Sequence, residues 1–255
     1  MTRDLRDDLG AAVALPAEVG SVVSLVPSLT EAIAATRPDA LVGATDWCTH
    51  PADLEVARVR GTKNPDRAAI EALRPDVVVA NQEENRALDV ERLRAAGVPV
   101  WVTRIETLDE AFASMRRLFA DALGWGLPDW LLEAEQAWAE PPAGPTARVA
   151  VPIWRDPWMV VGPRTFTTDL LRRLGWTNVF DQGDDRYPHV DLAQVDRADV
   201  DLVLLPDEPY VFGPDDGPEA FTTAPTRLVP GRLLTWYGPS LTPARQGVPT
   251  PADLR

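Results

Sequence analysis

The sequence predicts an α/β protein of two lobes, each a small parallel sheet covered by helices, with bridging helices between them. Two observations predict it. Short β-branched runs alternate with helix-patterned segments at strand–helix–strand spacing, and that alternation halts at a proline cluster and restarts beyond it. The divisions are an amino-terminal lobe over 1–104, bridging helices and linker over 105–145, and a carboxy-terminal lobe over 146–255.

Residues 22–26 (Val-Val-Ser-Leu-Val) have the apolar, β-branched character of a strand buried on both faces. Pro27-Ser28-Leu29-Thr30-Glu31 opens a helix, and Ser28 with Glu31 has the spacing of a capping box, each side chain satisfying a backbone donor of the first turn. Strands follow at 40–43, 77–80 and 98–102, with helices over 67–73 and 86–96. Gly97 is a natural stop, because glycine takes the left-handed conformation in which helices commonly end. Thr107 and Glu110 make a second capping box ahead of Phe112, Met115, Phe119, Ala122 and Leu123, which recur at helical spacing on one apolar face. A further helix carries Trp130, Leu131, Ala134, Ala137 and Trp138 on one face and ends before Pro141-Pro142-Ala143-Gly144-Pro145, the clearest boundary in the chain. Beyond it, 148–154 is a strand, 166–174 a helix closed by Gly175, and 201–205 and 232–236 are further strands.

A net charge of −14 argues against nucleic acid, whose phosphates would be repelled. The one cysteine leaves no internal disulfide and no multi-cysteine metal site. No apolar run approaches a membrane span, and the first residues lack the apolar core of a signal peptide. A monomer without membrane insertion is expected, cytoplasmic as encoded, or exported if the true start lies upstream.

In open parallel sheets, ligands bind outside the carboxyl ends of the strands. The loops there carry Trp47, Asn81 and Gln82 in the first lobe, and Trp154, Trp158, Tyr187, Tyr210, Trp236 and Tyr237 in the second. Aromatic rings in such loops are costly to leave in water, so they are expected to line a cleft suited to a large, flat, partly apolar ligand. Asn81, Gln82 and Ser240 would add neutral hydrogen bonds.

The same segments carry a family resemblance. Residues 22–31 (VVSLVPSLTE), 41–51 (LVGATDWCTHP) and 69–81 (AIEALRPDVVVAN) resemble the first lobe of the class III periplasmic binding proteins, the cobalamin and ferric-siderophore type also called helical-backbone metal receptors. The lead-in at 6–16 resembles the family's first hairpin, and the likeness continues through 162–180 and 234–237. The resemblance implies two Rossmann-like lobes bridged by a helical backbone, and a metal chelate (a corrinoid or an iron chelate) clamped between them without chemistry. It implies no intrinsic cofactor. It matches Trp47, Tyr187 and Trp236 to aromatics that flank a corrin ring. Members of the family deliver ligand to an ABC-transporter permease through an acidic residue on each lobe; the matching positions here hold Ala68 and Ala193, with Asp66 and Asp191 two residues earlier, where they have the character of helix caps.

Two alternatives come from the residues themselves. Asp46, Cys48, His50 and His189 are residue types that ligate metals, which would make the chain a direct receptor for a divalent ion. Cys48 with His50 also has the composition of an activated thiol nucleophile, although no orienting acid or oxyanion hole is recognisable. Glu83, Glu84, Glu208, Lys63, Arg155 and Arg232 are read as solvated charges.

Overall fold

The computed structural model describes residues 2–140 and 147–254, so the boundary predicted at Pro141-Pro142-Ala143-Gly144-Pro145 lies outside the described residues. The chain divides into two compact units. The first comprises Met1–Ile105, Asp109–Glu135 and Tyr237–Pro239; the second comprises Glu106–Leu108, Gln136–Trp236 and Ser240–Arg255.

The first unit opens on an antiparallel hairpin, β1 (Thr2–Arg6) and β2 (Ala12–Pro16). Its turn is built on Asp7, a buried carboxylate that accepts from the backbone N–H groups of Leu9 and Ala11 and from Arg94 at 2.6 Å. Asp8 beside it accepts from Arg117 and from the Ser114 hydroxyl, tying the hairpin to a helix. Then come β3 (Val22–Ser24), α1 (Pro27–Thr36), β4 (Leu41–Ala44), β5 (Ala57–Arg58), a short hairpin of β6 (Arg60–Gly61) and β7 (Asn64–Pro65), α2 (Arg67–Leu73), β8 (Val77–Asn81), α3 (Ala87–Ala95) and β9 (Val100–Thr103). The sheet runs β5-β4-β3-β8-β9, parallel throughout. Because β3, β8 and β9 are buried along their whole lengths, they need the unbroken valine-rich composition seen in the sequence. Val23, Val78 and Val100 pack with Ile70 of α2 and Leu93 of α3, each such side chain contributing about 1.5–3 kcal/mol on full burial. After α4 (Leu108–Arg116) the chain continues as a π-helical segment over Arg117–Ala122, and α5 (Asp129–Ala137) follows, with Phe119 edge-on to Trp130.

The second unit contains β10 (Ala147–Ala150), β11 (Pro152–Trp154), β12 (Met159–Val160), α6 (Phe166–Arg173), β13 (Trp176–Asn178), α7 (Leu192–Val195), β14 (Leu202–Pro206), β15 (Thr226–Val229), α8 (Arg232–Thr235) and α9 (Leu241–Gly247). Its sheet is again parallel, in the order β13-β10-β14-β15. The fold is therefore α/β, with a small parallel sheet in each of two units. Among the described residues, no helix is long and apolar enough to cross a membrane.

Three local expectations are corrected. The strand expected over 148–154 is two strands in different sheets: Pro152 has no N–H to donate, and the chain leaves the parallel sheet there to pair β11 with β12. The strand expected over 232–236 is the short helix α8. Gly231 donates to Asp207 Oδ1 at 2.6 Å and packs so closely on Glu208 that a Cβ there would lie 2.4 Å from its Cγ, so the chain turns rather than extends. Finally, α1 begins at Pro27, with Val26 as its N-cap and no side-chain cap bond. Ser28 is thus already inside the first turn and forms no capping box with Glu31; proline's fixed φ and missing N–H make it the stronger start signal.

Candidate ligand-binding site

In the first unit, the loop after β4 is held by Arg58, whose guanidinium donates to the carbonyls of Thr45 and Cys48 at 2.9 Å each and of Leu54 at 3.1 Å. The Asp46 N–H donates to the Arg60 carbonyl at 2.8 Å. With its backbone so fixed, the loop presents Trp47, whose side chain is not drawn into the core: the residue is 67% exposed. One edge of the indole rests near Gly61, with Nε1 3.3 Å from where a Cβ at that glycine would stand.

The loop after β8 is organised by two asparagines. Asn81 donates through Nδ2 to Thr103 Oγ1 at 3.1 Å, and its Oδ1 accepts from the Glu83 N–H at 2.8 Å. Asn85 bridges the carbonyls of Leu25 and Thr62, at 3.2 and 3.0 Å. The buried Asn81 amide thus shapes the loop, and Gln82 beside it is exposed. The neighbouring Glu84 carboxyl is pushed up by desolvation against the opposing pull of Lys63.

In the second unit, Trp154 is 45% exposed at the end of β11 and meets Tyr210 edge-on, ring centroids 5.5 Å apart. Tyr187 is half-buried in a loop whose backbone packs on Gly162: a Cβ at that position would fall 2.6 Å from the Asp185 carbonyl. Trp158 belongs elsewhere. It is only 9% exposed, stacked on Phe212 at 6.0 Å and edge-on to Phe221 at 5.5 Å, so its ring packs in the core. Trp236, after α8, is also buried, as is Tyr237, which belongs to the first unit. Of the aromatics expected to meet a ligand, Trp47 in the first unit and Trp154 in the second are exposed, and Tyr187 and Tyr210 are half-buried.

The metal and thiol readings fail on Cys48. Its side chain is completely buried, bonded to the hydroxyls of Thr30 at 3.0 Å and Thr45 at 3.1 Å. Desolvation pushes the thiol up in pKa against those bonds, which disfavours the nucleophilic thiolate. His50 turns to Thr49 Oγ1 at 3.2 Å, Asp46 is exposed, and the exposed His189 pairs through its backbone with Met159. Among the described residues, no group of three or more His, Cys, Asp or Glu side chains is gathered in a way that could hold a metal ion.

Sequence reasoning missed a polar cavity of about 440 Å³ in the second unit, beside α6. Arg172 on its wall pairs with both Asp169 and Asp181, at 3.1 and 2.9 Å. Asp66 and Asp191 are helix caps, as their positions suggested. Asp66 accepts from the Ala69 N–H at 3.1 Å, and Asp191 forms a capping box with Gln194.

Comparison with known proteins gives this geometry a context. The chain is 27% identical over 186 residues to a vitamin B12-binding protein of Vibrio vulnificus, covering 70% of this chain and 68% of that one. Among solved structures, it superposes on the periplasmic vitamin B12 binding protein of Vibrio cholerae with TM-score 0.72 and 18% identity, over 89% of this chain and 94% of that one. A periplasmic heme binding protein of Pseudomonas aeruginosa gives TM-score 0.71 and 20% identity, over 89% and 90%. No family model matches the chain. The chain is thus a sequence relative of vitamin B12-binding proteins and has the fold of the class III periplasmic binding proteins, the family its motifs resemble.

Proposed function

We propose that the chain binds a flat metal chelate of the corrinoid or iron-chelate type and releases it chemically unchanged. The observation that carries this is Trp47: a large apolar ring left 67% exposed on a loop whose backbone is clamped by Arg58. A ring held out in water at the carboxyl end of a parallel sheet is pre-placed to stack on a flat partner. The relatives named for vitamin B12 and for heme support the ligand class, and their naming as binding proteins supports a role without catalysis. The buried thiol removes the motive for an enzyme or a bare-ion receptor centred on Cys48. The periplasmic setting of the structural relatives supports export. In that setting the ligand would pass to an ABC-transporter permease. Asp66 and Asp191, already bonded as caps, would then be poor docking acids, and docking would fall to other carboxylates of this acidic chain.

Native mass spectrometry against cyanocobalamin, cobinamide, haemin, a ferric hydroxamate and Zn²⁺ tests the proposal. One retained chelate is expected, with its Kd weakened about 10- to 30-fold by Trp47→Ala, the equivalent of roughly 1.4–2 kcal/mol of lost stacking. Retention of Zn²⁺ alone, or of nothing, would refute it.

A further inference from the structure

Within the second unit, the exposed Trp154 has an ordering network beside it. Trp154 rests edge-on against Tyr210 at 5.5 Å, and Tyr210 is tilted against Phe212 at 4.7 Å. Tyr210 is not held by packing alone: its hydroxyl donates to Asp216 Oδ2 at 2.7 Å. Asp216 is fixed in turn. Its other oxygen accepts from Arg155, which also donates to Glu219 at 2.7 Å and lies 5.4 Å over the Trp158 ring. Gly213 and Asp216 are joined as an antiparallel bridge, and Gly217 is required next: its φ is +124°, and a Cβ would come 2.6 Å from the Phe212 ring. The Tyr210 bond holds the phenol up in pKa and the Asp216 carboxyl down, so the ionised acceptor and neutral donor are the settled pairing.

We propose that Asp216 is a positioning residue for ligand recognition: by fixing the Tyr210 phenol it makes that ring a rigid shelf under the exposed Trp154 indole. The inference rests on the chelate-binding reading. A rigid shelf matters because a side chain already in its bound rotamer forfeits less conformational freedom on binding. Asp216 and Arg155 touch no ligand; they act through Tyr210 and Trp154.

The test compares Tyr210→Phe, which keeps the ring and removes the bond, with Asp216→Ala and the conservative Asp216→Asn, which retains an acceptor for the phenol. Two readouts are taken. The near-ultraviolet circular dichroism of Trp154, isolated as the difference between wild type and Trp154→Phe, reports the indole's fixed orientation without any ligand. Isothermal titration with cyanocobalamin and haemin reports affinity. Tyr210→Phe and Asp216→Ala are expected to flatten the Trp154 signal and weaken Kd about 3- to 10-fold, the scale of one hydrogen bond, with Asp216→Asn restoring most of both. An unchanged signal in both variants would overturn the positioning role. A lost signal with unchanged Kd would overturn the role in recognition. A wild-type protein that takes up neither probe would overturn the chelate reading and the role in recognition together, while the dichroism still decides whether Asp216 orients the ring.

Discussion

The Cys48 thiol sits between Thr30 and Thr45, where desolvation raises its pKa against the lowering pull of both hydroxyls and of Arg58. Alkylation needs the thiolate, so modification of the folded protein must wait for a local opening. Labelling by iodoacetamide at pH 8 is expected to be on the order of 100-fold slower in buffer than in urea, which corresponds to an opening cost of about 2.7 kcal/mol. Equal rates would mean the pocket between the two threonines is open. The contrast between Trp47 and Trp158 belongs at this scale too. Both lie in loops at strand ends, and the local sequence treats them alike. What separates them is distant in the chain: Trp158 finds Phe212 and Phe221 to pack on, whereas Trp47 lies beside Gly61 and stays exposed. Loop membership was legible in the sequence; which rings turn inward was not, because that depends on partners no local pattern names.

Among the elements, the hairpin β1–β2 depends on two adjacent carboxylates for its attachment. Asp7 holds its own turn and accepts from Arg94, and its side chain has no exposed surface. Asp7→Ala removes the turn bonds and leaves the guanidinium without its carboxylate, so a loss of about 3 kcal/mol is expected from the urea midpoint. Asp4→Ala, on the exposed strand, serves as the control, with a change within about 0.5 kcal/mol. Strands with unbroken valine runs, such as β8, could be read directly, since burial on both faces permits nothing else. Short edge strands were harder. β15 (Thr-Arg-Leu-Val) is largely exposed and carries no apolar run, and β13 is three residues long, so neither announces itself. Conversely, residues 232–236 have strand-like composition, yet the close approach of Gly231 to Glu208 bends them into α8. That contact joins segments far apart in sequence, and tertiary contact overrode local preference.

For the molecule as a whole, the sequence resemblance and the superposition agree on the architecture, and the charge balance sets how it responds to acid. At neutral pH the net charge is −14, and acid removes it as carboxylates take up protons. Asp196 keeps its charge to lower pH than an ordinary aspartate. Desolvation raises its pKa, but the backbone N–H groups of Ala224, Thr222 and Thr223 and the Thr222 hydroxyl outweigh it and hold the carboxyl down to about 2, against an ordinary 3.8. A depressed carboxyl contributes stability that is fully present above the unfolded value and lost as the pH falls through the folded one. Asp196→Asn should therefore lower the urea midpoint most above about pH 4, and the gap to wild type should close between about pH 4 and pH 2. A gap that is constant across that range would mean the bonds to Thr222–Ala224 do not depend on the charge.

The seclusion of the chain's one cysteine has a practical side. A protein whose native thiol is out of reach is already prepared for site-directed reporters. A cysteine introduced at Val211, which is 72% exposed beside Tyr210, would react with a maleimide dye well before Cys48 does. Occupancy of the site could then be followed by fluorescence on the otherwise unaltered chain, with no background mutation to remove the thiol and disturb Thr30 and Thr45.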